Sequence, residues 1–294
     1  MYFNDRQHRE TICEVGRRLY QRGFAAANDG NISVRLSEDR FLCTPTGVSK
    51  GYMKPEDLGI VDLDGNQVAG TKKRTSEIKL HLAVYRARAD INGVVHCHPP
   101  HATAFAIARE PIPKCVLPEV EVFLGEVPIA DYETPGTQQF ADSVLPFVND
   151  ARVVMLANHG SLAFAGDLMT AYFNTEIIDA YCRMLILAKQ LGPIKYLNEG
   201  HTRELLHFKE KLGIDDPRLH MKDCDLCGNS LFREGYKGAS GEPHAFPPPP
   251  APNTCSGHSP RDDRPAANRS GDNGDMEALV KRITDQVLAA LGKS

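Results

Sequence analysis

Glu77, His96, His98 and His159 are the residues whose types and settings best suit holding a divalent metal. His96 and His98 stand two apart in Val94-Val95-His96-Cys97-His98, which reads as the end of a β-strand. Strand side chains alternate faces, so both imidazoles point one way and Cys97 points the other. His159 stands in Asn158-His159-Gly160 and Glu77 in Thr75-Ser76-Glu77. Imidazoles with one carboxylate suit Zn2+ or a similar cation, which favours an enzyme over a binding module. His101, close behind the pair, reads as a helix cap or a support for a ligand.

Elements of an α/β domain must bring these residues together. Ile12, Val15, Leu19 and Tyr20 recur at helical spacing and Gly23 follows as a stop. Residues 31–36 and 41–44 alternate like a hairpin. A second hairpin is expected from residues 59–63 and 67–68 around Asp64-Gly65-Asn66. Ser76 is placed to cap a helix through Leu80, Val84 and Tyr85. Strands are expected at 93–98, 127–130 and 153–157, and helices at 101–108, 167–191 and 205–212. Tyr132 and Tyr181 read as packing residues.

Composition narrows the function. The chain has 294 residues, 41% of them hydrophobic, enough for a core. Its net charge of −4 provides no basic field for nucleic acid or a membrane surface. The first ten residues are polar and no apolar run approaches a membrane span, so a cytoplasmic protein is expected. Eight cysteines in that setting are expected to be reduced thiols.

Five stretches, in order, resemble the class II aldolase/adducin family: Asn28-Asp29-Gly30-Asn31-Ile32-Ser33, Thr44-Pro45-Thr46-Gly47, Thr75-Ser76-Glu77, His96-Cys97-His98 and Asn158-His159-Gly160. The resemblance covers residues 1–217. It implies a three-layer α/β domain around a largely antiparallel sheet, assembled as a homotetramer. It assigns zinc to His96, His98 and His159, and to Glu77 at rest, with Glu77 also the acid/base. It assigns the phosphate of a sugar-phosphate substrate to loops carrying Gly30, Asn31, Thr46, Gly47, Thr75 and Ser76. Glycine backbone and a helix N-terminus suit an anion there, whereas Lys50 reads as a solvated lysine. Fuculose-phosphate aldolases also place a tyrosine from a neighbouring subunit near residue 117. Here Cys115-Val116-Leu117-Pro118-Glu119-Val120-Glu121 has none, and Glu119 is the candidate for that proton transfer.

The expected reaction is zinc-dependent retro-aldol cleavage of a deoxyhexulose 1-phosphate, L-fuculose or L-rhamnulose 1-phosphate, to dihydroxyacetone phosphate and L-lactaldehyde. A metal can stabilise the enediolate this creates, and a nearby carboxylate can move the proton. A pentulose-phosphate 4-epimerase and a methylthioribulose-phosphate dehydratase are alternatives. A non-catalytic scaffold like the adducins is the alternative of another class.

Beyond residue 217 the composition changes. Residues 218–275 are rich in Pro, Gly, Ser, Asp and Arg, contain Phe246-Pro247-Pro248-Pro249-Pro250, and read as a disordered linker. Cys224 and Cys227 are half a zinc-ribbon signature, which Cys255 and His258 could complete; unpaired thiols are the plainer expectation. Met276, Leu279, Val280, Ile283, Val287 and Leu291 then share one face of an amphipathic helix over 276–292. It resembles the encapsulation peptides of bacterial microcompartments, implying a shell or cargo partner and a place in the lumen. Docking on its own globular domain, tetramerisation and membrane-surface binding are the alternatives.

Overall fold

The structure, a computed structural model, describes residues 3–214, 216–220, 226–227 and 245–246. The expected helix over 276–292, Cys224, Cys255 and His258 lie outside them.

The chain opens with α1 (Phe3–Gln21), where Ile12, Val15 and Leu19 are buried and Arg6–Glu10 and Arg18–Glu14 pairs line the outer face. Hairpins follow as β1 (Asn31–Arg35) with β2 (Arg40–Cys43), then β3 (Gly59–Asp62) with β4 (Gln67–Ala69). Next come α2 (Ile78–Ala87), β5 (Gly93–Cys97), α3 (Pro100–Ala108), α4 (Pro118–Phe123), β6 (Ile129–Ala130) and α5 (Gln138–Asp142). The remainder is β7 (Val153–Leu156), β8 (Gly160–Ala165), α6 (Leu168–Leu191) and α7 (Glu199–Lys211). Asp167 caps α6 by accepting from Thr170 N at 2.9 Å. Asn198 caps α7 through His201 N at 2.8 Å, so that helix starts six residues before the expected 205.

The strands form one sheet in the order β4-β3-β2-β1-β5-β8-β7-β6, antiparallel except for the β6–β7 pair. α2 and α5 cover one face, packing on Phe41, Val94, Leu162 and Phe164. α1, α3 and α6 cover the other, packing on Ile32, Val95, Cys97 and Ala163. This is the expected three-layer domain. β5 is covered on both faces, and every one of its residues is buried.

Two expectations are corrected. Cys115 is bonded to Cys227 rather than being a dispersed thiol, so the second cysteine of Cys224-Asp225-Leu226-Cys227 has a partner 112 residues back. Spacing cannot reveal a pair formed when a distant segment folds back. The buried core also continues past residue 217. Arg218, Leu226, Cys227 and Phe246 are buried, and Phe246 stacks on Phe105 at 5.3 Å. Arg218 binds Glu121 at 2.7 Å and Asp216 at 2.9 Å, while Lys209 binds Asp216 at 2.7 Å. A division at 217 would cut this buried ion-pair cluster.

Candidate metal centre

β5 carries His96 near its end and His98 just beyond it. The antiparallel register sets Asn31 of β1 and Leu162 of β8 on either side of His96. Asn158, at φ 55°, turns the chain between β7 and β8 and presents His159. The three imidazoles offer ligand atoms that all lie within 4.8 Å of one another. Cys97 faces α1 and α6, as alternation requires. Gly160 makes the closure possible, because a Cβ there would lie 2.5 Å from His98 Cδ2 and 2.6 Å from the Cys97 carbonyl.

The hydrogen bonds favour a cation. His96 Nδ1 donates to the Ser161 carbonyl at 2.9 Å, which leaves the Nε2 lone pair free. His159 Nε2 is 3.0 Å from that Nε2. His98 Nε2 is buried without a hydrogen-bond partner, an expensive condition that a metal would remove. Glu77 is 3.2 Å from His96 Nε2 through Oε2 and 3.4 Å from His159 Nε2 through Oε1. The donors therefore fit a zinc-like ion.

Burial pushes His96 down to about 3 against the pull of Glu77, and it also lowers His98. Both imidazoles are thus neutral, the form that binds metal. Burial alone would raise the Glu77 carboxyl. The nearby His96 and hydrogen bonds with His159 and Asn31 outweigh it and hold the group ionised, well below the usual carboxylate range.

Three loops meet beside this cluster. Thr75 N donates to the Thr44 carbonyl at 3.0 Å, and Thr46 N to that of Lys73 at 2.9 Å. Gly30 approaches β5 so closely that a Cβ would lie 2.9 Å from the His96 carbonyl. Gly47, Thr46 and Ser76 are exposed and can meet an anion, whereas the backbone N–H groups of Thr46 and Thr75 are already used. Asn31 directs its amide nitrogen to Glu77 Oε2 at 2.8 Å.

Some expectations change at this site. Lys50 is buried rather than solvated, because its ammonium donates to the carbonyls of Asn28 at 2.9 Å and Val48 at 2.8 Å and ties two of the loops together. Burial lowers it to about 8, with Asp29 opposing. Ser76 does not cap α2. Glu77 holds the N-cap position without a side-chain cap bond, and Thr75 Oγ1 accepts from Glu77 N at 3.3 Å. His101 Nδ1 lies 2.9 Å from Asp179, whose other oxygen accepts from His101 N and Ala102 N and so caps the start of α3. Tyr181 packs inside and donates to the Pro113 carbonyl, while Tyr132 is exposed. Glu119 is exposed on the first turn of α4 and makes no ion pair with the cluster. His81, which no motif in the sequence marks, is buried behind Asn31.

Comparison with known proteins agrees with this geometry. Residues 10–186 match the model of the Class II Aldolase and Adducin N-terminal domain. The 5-deoxy-D-ribulose 1-phosphate aldolase of Bacillus thuringiensis is 35% identical over 209 residues, 70% of this chain and 97% of that protein. The 3-oxo-tetronate 4-phosphate decarboxylase of Haemophilus influenzae is 30% identical, over 68% of this chain and 97% of that one. A solved L-fuculose 1-phosphate aldolase superposes with a TM-score of 0.64 at 29% identity, covering 71% of this chain and 97% of its own. With its histidine cluster in place, the chain belongs to the class II aldolase and adducin N-terminal domain family and is an enzyme of the aldolase, lyase type.

Proposed function

We propose that this enzyme uses zinc to cleave a deoxyhexulose 1-phosphate, L-fuculose or L-rhamnulose 1-phosphate, to dihydroxyacetone phosphate and L-lactaldehyde. The observation that carries the proposal is the convergence of His96, His98 and His159 on one point, with an ionised Glu77 beside it. When bound, a divalent cation supplies Lewis-acid stabilisation for the negative charge that cleavage leaves on the ketose oxygens. His96, held by the Ser161 carbonyl, orients the cluster. Glu77 accepts a proton from substrate and returns it to carbon. Thr46, Gly47 and Ser76 receive the phosphate, with Gly30 and Thr75 shaping its pocket. Glu119 serves the leaving aldehyde from a site completed by a neighbouring subunit of a homotetramer.

A second reading has its own support in the likeness to a 3-oxo-tetronate 4-phosphate decarboxylase. Loss of CO2 from such a 3-oxo acid leaves the same dihydroxyacetone phosphate enediolate as retro-aldol cleavage. The two reactions differ in the departing carbon: an aldehyde requires a base for its hydroxyl proton, and CO2 does not. Release of dihydroxyacetone phosphate from L-fuculose 1-phosphate, L-rhamnulose 1-phosphate, 5-deoxy-D-ribulose 1-phosphate and 3-oxo-tetronate 4-phosphate separates them. Zinc-dependent release from a deoxyhexulose phosphate, lost in Glu77→Gln, is expected. Release from the 3-oxo acid alone would transfer the assignment to the decarboxylase.

The segment 276–292 is proposed to direct the enzyme to the lumen of a bacterial microcompartment, where a shell contains the aldehyde. Deleting 276–294 should leave activity and assembly intact and abolish co-purification with shell protein. Loss of the tetramer would instead assign the helix to assembly. Among the described residues, no helix is long and apolar enough to cross a membrane.

A further inference from the structure

A line of buried polar groups runs from Glu77 into the layer between α2 and the sheet. Glu77, His81 and Tyr85 are four residues apart along α2 and its N-cap, and Asn31 and Ser33 are two apart on β1. Four helical residues rise about 6 Å and two strand residues about 6.6 Å, so the two rows mesh. Contacts alternate between them. Asn31 Nδ2 is 2.8 Å from Glu77 Oε2, and Asn31 Oδ1 is 2.5 Å from His81 Nε2. His81 Nδ1 is 2.6 Å from Ser33 Oγ, which is 2.9 Å from the Tyr85 hydroxyl. Asn31, Ser33, His81 and Tyr85 are all buried.

Chemistry fixes the direction of the whole line from its acidic end. An ionised carboxylate only accepts, so Asn31 turns its amino group to Glu77 and its carbonyl to His81. That carbonyl requires a proton on His81 Nε2. Burial pushes His81 down to about 4 and keeps it neutral, so Nδ1 holds a lone pair and accepts from Ser33. The Ser33 oxygen then accepts from Tyr85. Phe41 stacks on the Tyr85 ring at 4.7 Å and the Arg35 guanidinium lies 4.9 Å from its centre, fixing the far end.

We propose that His81 is a positioning residue of the active site: in its Nε2–H form it locks the Asn31 amide so that Glu77 Oε2 is pinned and Oε1 is left to carry the proton. This rests on the acid/base reading of Glu77. His81 touches neither substrate nor the imidazole cluster and acts only through Asn31.

The test compares His81→Leu, His81→Gln and Ser33→Ala with wild type and Glu77→Gln in full-length protein. A glutamine amide has a donor and an acceptor about as far apart as the two imidazole nitrogens, so it can preserve the line's direction. Leucine removes both. The readouts are kcat and KM for dihydroxyacetone phosphate release, the acid limb of the kcat–pH profile, and Zn2+ affinity by chelator competition. Circular dichroism confirms folding. His81→Leu is expected to lower kcat and Zn2+ affinity by about 10- to 100-fold, with KM within twofold and the acid limb moved to higher pH. Ser33→Ala should do the same to a smaller degree, and His81→Gln should restore most of the loss. Wild-type behaviour in His81→Leu, or a His81→Gln no better than leucine, would overturn the proposal while a dead Glu77→Gln kept the acid/base reading. An active Glu77→Gln would overturn both.

Discussion

At the end of β5, His96, His98, His159 and Glu77 face one another with a buried nitrogen left over on His98. At α4, Glu121, Arg218, Asp216 and Lys209 lie deeper still, yet their charges are matched in pairs. Asp216 shows the balance: burial would raise its carboxyl, but Arg218 and Lys209 hold it far below the carboxylate range. A cluster that satisfies itself fastens the fold, whereas one that leaves a buried donor atom unanswered is shaped for something it must still bind.

The largest expected effect tests the open cluster. His159→Ala should lower activity by at least about 10³-fold and abolish stoichiometric metal binding, with little change in melting temperature. A drop in stability as large as the loss of function would erase the contrast. Arg218→Met should do the reverse. It strands Glu121 and part of Asp216, so denaturant unfolding should record a loss of about 3–5 kcal/mol while kcat per folded molecule stays within twofold. Gly160→Ala sharpens the contrast by crowding His98 without removing a ligand. Metal affinity should fall about 10- to 100-fold, measured by chelator competition.

The smallest effect concerns Lys50, a buried ammonium hydrogen-bonded to the Asn28 and Val48 carbonyls. Its native pKa of about 8 lies below the ordinary lysine value. Between about pH 8 and 10 the unfolded chain therefore binds more protons than the native one, and this group makes stability rise with pH. Wild type should gain on Lys50→Met by on the order of 1–3 kcal/mol across that window, read by urea unfolding at each pH. A constant difference would mean that Lys50 stays charged throughout.

The open cluster was far more legible in the sequence than the closed one. His96-Cys97-His98 announces a strand end because side chains alternate, and β5 delivered both imidazoles to one side. The hairpins and α6 followed equally local signals. Arg218 and Cys227 gave no sign of their partners, since Glu121 and Cys115 lie 97 and 112 residues away. Pairings at such separations depend on where the whole chain returns. His81 is intermediate. Glu77, His81 and Tyr85 share one side of α2 and its N-cap, and Asn31 and Ser33 one side of β1, but only the register of the two elements makes them one line. Lys50 reads as solvated in the sequence because a lysine's burial depends on nearby carbonyls, which a sequence does not position.

The place of β5 and β8 in the middle of the sheet has a consequence in time. Four strands lie on one side of this pair and two on the other, so fraying from either edge leaves it intact, and separating the two requires opening most of the domain. Backbone amides of Val95 and His96 should be among the last to exchange with deuterium. Metal would then come and go by way of the partly open His98 and His159 side chains while the ladder beneath them stays closed. Turnover of the ion and unfolding of the protein would thus be separate clocks.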